Sequence, residues 1–166
     1  MDVPAQAAPV PSGGRLPSGA PLETVRRRRA GLKAAMVELE HAAAAPLPGR
    51  QRAWLTEVCR RLELVQRRFA SHVAGTEGED GLFVDVLTAS TRQAQPIAML
   101  RTEHEQITEV LRGLLDRLAQ ERGGAPETLE QAREEVTGLL ARLSRHRQRG
   151  SDLIYEAYEL DIGGET

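Results

Sequence analysis

Three stretches of this chain repeat apolar residues in steps of three and four, and each repeat runs straight through a histidine. The first reads Leu55, Val58, Leu62, Val65, Phe69, His72, Thr76. The second reads Ile97, Leu100, His104, Ile107, Leu111, Leu114, Leu118. The third reads Leu129, Ala132, Val136, Leu139, Leu143, His146, Gly150, Leu153, Ala157, Leu160. Alternating steps of three and four trace one stripe along an α-helix, the seam a bundle buries. The spacing therefore predicts helices whose inward stripes each carry an imidazole. An earlier segment places Val25, Leu32, Met36, Leu39 and Ala43 on one face. At ~100° per residue, His41 falls on the opposite face and points to solvent.

Punctuation sets the expected boundaries. Residues 1–21 hold five of the nine prolines, with too little apolar surface to offset ordering entropy, and read as a disordered tail. Helices are expected over about 22–45, 50–74, 91–120 and 127–160. A glycine-rich break at 75–81 leads into a short helical piece, 82–89. Short connections favour antiparallel neighbours, so the fold class is an all-α, up-down four-helix bundle spanning 22–162. Only five of 166 residues are aromatic Phe, Trp or Tyr, which argues against a sheet-rich fold. The formal net charge of −2 supplies no basic field for nucleic acid. No apolar run reaches the ~18 residues of a membrane span. Cys59 is the single cysteine, so no intramolecular disulfide forms; with no secretory pattern at Met1, a cytoplasmic location is expected.

The three inward histidines also match in height. His72 precedes the turn near Ser90 by about as many residues as His104 follows it, at ~1.5 Å per residue. His104 and His146 are similarly placed about the turn near Glu121. Imidazoles that converge from separate helices are how bundles build metal sites. The level of His72 on the first helix falls near Val25–Arg29, where Arg26, Arg27, Arg28 and Arg29 oppose a cation. Four consecutive residues spread round a helix, so the run reads as solvated or paired with the acidic Glu77–Asp80 stretch.

Arg68-Phe-Ala-Ser-His72 with Glu77-Gly-Glu-Asp80 and Leu82-Phe83, then Leu100-Arg-Thr-Glu103-His104, then Leu143-Ser-Arg-His146, together resemble the hemerythrin family, which includes bacterial HHE cation-binding domains. The resemblance covers residues 22–162. It implies a hemerythrin-like four-helix bundle holding non-haem iron that binds or senses dioxygen, nitric oxide or iron. The family's carboxylates one turn after the second- and fourth-helix histidines are replaced here by Thr76 and Gly150. That leaves His72, His104 and His146 as metal ligands, with Glu77 as the one carboxylate candidate. Such a set suits one Fe(II) or Zn(II) better than a carboxylate-bridged pair. Glu103 and Thr76 are candidates for orienting the imidazoles. The expected partners are a metal ion and a small gaseous ligand, and affinity should fall as pH drops through ~6.5 and protons compete. No catalytic residue is assigned, and no nucleophile or phosphate-binding motif occurs. The competing reading is a degenerate, metal-free bundle that serves as an interaction or structural module.

Overall fold

The computed structural model describes residues 19–45, 49–121 and 126–159, and no strand occurs among them. Four long helices, α1 (Gly19–Ala44), α2 (Gln51–Glu77), α4 (Ala94–Gln120) and α5 (Pro126–Glu159), are joined by the short α3 (Leu82–Ala89) and a single 3₁₀ turn at Thr91–Gln93. Around the bundle, α1 packs on α2, α2 on α4, α4 on α5 and α5 back on α1. Leu32, Leu39, Val58, Leu62, Val65, Leu111, Val136 and Leu143 are fully enclosed. The seams read from the spacing are thus the buried faces, and His41 is exposed.

Two boundaries differ from expectation. α1 starts at Gly19, three residues before Leu22, so the last three residues assigned to the tail are helical. Pro21 sits in the first turn, where no intrahelical N–H bond is required, so it does not stop the helix. The rest of the tail, residues 1–18, lies outside the described residues, as does Leu160. α2 does not break at Gly75 but runs on to Glu77. A helical glycine costs about 1 kcal/mol relative to alanine. Here its bareness has a use, because a Cβ at Gly75 would overlap the Arg28 guanidinium of α1. The turn comes at Gly81 instead, whose hypothetical Cβ would lie 2.6 Å from the Thr76 carbonyl oxygen. That tight reversal lays Leu82 and Phe83 over the end of the core.

The core is in two parts. The larger runs from Trp54 and Ala43 at one end to Phe69, Ile107 and Leu143. The smaller joins Leu82, Phe83, Val86, Ile97, Leu100, Leu153 and Ala157. His72, His104 and His146 lie between them as a polar layer. At the far end, Arg133 of α5 donates to the Ala43 and Ala45 carbonyls at 2.9 and 2.6 Å, satisfying acceptors that the end of α1 leaves open. Its guanidinium also lies 5.5 Å from the centre of the Trp54 ring.

Candidate metal centre

The histidine layer is assembled from three helices. His72 is on α2, His104 on α4 and His146 on α5, and all three are buried. Their Nε2 atoms converge: His72 to His146 at 3.2 Å and His104 to His146 at 3.1 Å. Phe69, one turn before His72, forms the floor, with its ring centre 5.9, 5.7 and 5.8 Å from those of His72, His104 and His146. Phe83 of α3 stacks on His104 at 5.8 Å. These aromatic rings pack against the imidazoles and restrict their orientation.

Behind two of the rings stand carboxylates. Glu77 accepts from His104 Nδ1. Glu103 accepts from His146 Nδ1 at 2.8 Å and from Arg149 Nε at 2.6 Å. Glu77 therefore lies on the outer side of His104 rather than beside the converging nitrogens, where a ligand would be. It reaches there because α2 stays helical to its last residue. Glu103 serves the histidine of the neighbouring helix, not His104 next to it in sequence. Thr76 donates its hydroxyl to the His72 and Val73 carbonyls, at 3.1 and 3.0 Å. It lines the cavity without touching an imidazole's polar atoms.

The partners dictate the tautomers. A ring nitrogen facing a carboxylate carries the proton, so His104 and His146 are protonated at Nδ1. When neutral, both then present a bare Nε2 lone pair to the other at 3.1 Å. One hydrogen bond from the His72 Nε2–H to His146 is compatible with this, but the His104–His146 approach is not. Either a cation or an added proton at the centre removes the repulsion. Burial disfavours the proton. It is the leading cause that lowers the His104 and His146 pKa values, against the opposing pull of Glu77 and Glu103. For His72, which lacks a carboxylate, burial and the charges of His104, His146, Arg29 and Arg147 all act downward, to about 3.

Two nitrogens bound at ~2.0–2.1 Å stand about 3.4 Å apart around a tetrahedral ion and about 2.9 Å apart at a right angle. The observed 3.1 and 3.2 Å fall between these values. Two of the three pairs thus have the spacing of ligands on one cation, and all three ligand atoms lie within 4.8 Å of one another. A carboxylate-bridged pair of ions does not fit, since among the described residues no carboxylate oxygen joins the three nitrogens.

A cavity of about 20 Å³ adjoins the rings, bordered by Val25, Arg29, Leu100, Arg147 and Gly150 among others. That is room for roughly one water-sized centre. Arg29 enters at the level expected for the first helix. It is half-buried rather than solvated, and it bonds Ser151 Oγ at 3.1 Å instead of the acidic stretch. Arg147 is a cavity residue that the seam pattern did not flag; its one signal is its position directly after His146. Comparison with known proteins adds no relative: no family model matches this sequence, and no curated protein or solved structure matches it.

Proposed function

We propose that this chain is a metal-binding protein, an up-down helical bundle of hemerythrin-like type. In this reading, it holds a single divalent ion of the Fe(II) or Zn(II) class through the Nε2 atoms of His72, His104 and His146. The observation that carries the reading is the 3.1 Å approach of two Nε2 atoms whose rings each donate their other N–H to a carboxylate. A cation turns that repulsion into ligation, and carboxylates behind ligating imidazoles raise their basicity and fix their orientation. Three ligands leave a coordination position open, so the ion would supply a binding point for a small molecule such as dioxygen or nitric oxide. The protein's own part is to favour the neutral imidazoles by burial, aim them through Glu77 and Glu103, and pack them against Phe69 and Phe83.

A second reading, a metal-free bundle serving as an interaction module, draws on Arg29 and Arg147. Their charges oppose a cation in the cavity they share with the histidines. Titration of chelator-treated protein with Fe(II) under anaerobic conditions and with Zn(II), followed by calorimetry, separates the two. The metal-binding reading expects one ion per chain for wild type and for His41→Ala, and none for His104→Ala. Equal binding by all three proteins, or by none, removes the site.

A further inference from the structure

Of the three imidazoles, His146 is the hub. Both short approaches in the layer include its Nε2, at 3.2 Å to His72 and 3.1 Å to His104. The place of that one nitrogen therefore sets the spacing of the donor set. Its ring is steered from the other side by Glu103, whose carboxylate bridges two donors of α5. Oε2 accepts from His146 Nδ1 at 2.8 Å, and Oε1 accepts from Arg149 Nε at 2.6 Å. The two donors are three residues apart and project from one face of α5. Glu103 comes from α4, so its carboxylate spans the seam between two helices and is held at both oxygens. A carboxylate held at one oxygen turns easily about its last side-chain torsion, whereas one held at both presents each oxygen in a fixed direction. Glu77 is held differently: among the described residues it bonds only His104 Nδ1. With 44% of its side-chain surface exposed, Arg149 stands outside the packed core, and replacing it disturbs the carboxylate contact rather than packing.

We propose that Arg149 is a positioning residue for the metal centre: by fixing Glu103 it aims the Nε2 lone pair of His146 at the point where the three imidazoles converge. The proposal rests on the metal-binding reading above. Arg149 acts through one carboxylate, and the carboxylate acts through one N–H. Its charge pulls the other way, because a guanidinium near the site repels a divalent ion. The two roles therefore have opposite signs. Removing the charge alone tightens metal binding. Losing the bridge frees Glu103 and lets the His146 ring turn or move its proton from Nδ1 to Nε2, where no lone pair is left for a metal, and so weakens binding.

Zn(II) affinity measured by chelator competition reads the sign. Arg149→Gln is expected to bind Zn(II) about three- to tenfold more weakly than wild type, a fraction of the roughly 10- to 100-fold that loss of a carboxylate behind a ligating imidazole brings. Arg142→Gln, which removes a charge from an exposed position of α5, should bind as wild type does. In a Glu103→Ala background, Arg149→Gln should cost nothing further, since the contact through which it acts is gone. Unchanged or tighter binding by Arg149→Gln, or the same loss with and without Glu103, overturns the proposal. Circular dichroism checks that each variant folds; should Arg149→Gln fail to fold, Arg149→Met, which keeps the apolar stem, decides. Should wild type bind no Zn(II), the metal-binding reading fails, and nuclear magnetic resonance of the metal-free chain judges Arg149 separately. Proton–nitrogen correlations of the imidazoles are expected to place the His146 proton at Nδ1 in wild type and to show both tautomers in Arg149→Gln. One and the same His146 tautomer in the two proteins overturns the positioning role.

Discussion

His72→Leu isolates the energetic consequence of burying an imidazole with no acid behind it. Every influence on His72 lowers its pKa, to about 3, whereas an exposed histidine in the unfolded chain titrates near ~6.5. A base with a depressed folded-state pKa takes up its proton preferentially when unfolded. Stability is therefore fully present above ~6.5 and is lost as pH falls from there towards 3. At pH 5 the unfolded chain is about 1.5 units below its pKa while folded His72 remains neutral. At 1.36 kcal/mol per unit, the loss from pH 7 to 5 is about 2 kcal/mol. That is a substantial share of a typical 5–15 kcal/mol total. His104 and His146 shift in the same direction and add to it, with Glu77 and Glu103 opposing. Urea unfolding of chelator-treated wild type and His72→Leu at the two pH values measures the difference. The variant should show a pH dependence smaller by about 2 kcal/mol, and equal or greater stability at pH 7, since a buried polar ring gives way to an apolar side chain. An identical pH dependence in the two proteins would refute the reasoning, because His72 would then titrate alike folded and unfolded.

Glu103→Ala should weaken metal binding about 10- to 100-fold by removing the support behind His146, with exposed Glu105→Ala as the unaffected control in the same calorimetric titration. Because burial lowers all three imidazole pKa values, the fall in metal affinity with acidification should set in below ~6.5; a fall centred on ~6.5 would show that the histidines titrate as exposed groups. Phe69→Ala, which removes the floor of the layer, should cost about 3–5 kcal/mol in urea unfolding. Gly150→Glu should raise the thermal midpoint: a Cβ there makes ordinary contact with Arg29 Nη2 at 3.5 Å, a helical glycine is replaced, and the new carboxylate can pair with Arg29.

Local physics made much of this fold readable from the order of residues. A 3.6-residue helix carries its own face, so the spacing of Phe69, His72 and Thr76, or of Leu100, His104 and Ile107, determined which side chains turn inward. The same logic put His41 outside. Helix rise and turn positions also matched the heights of the three histidines, and set Val25 and Arg29 at their level on α1. Which atoms meet was decided by packing between helices. Glu103 lies about 100° round the helix from His104, a direction that leads towards α5 and so to His146. Glu77 reached His104 because Gly75 and Thr76 stayed helical, with a glycine where Arg28 passes close, an outcome that local glycine propensity opposes. The meeting of Arg29 with Arg147 joins residues 118 positions apart, and no periodicity within one helix encodes it. Periodicity belongs to a single helix and survives in the sequence. The convergence of three imidazoles, two carboxylates and the Arg29 guanidinium depends on how four helices are set against one another, and only the tertiary structure carries that.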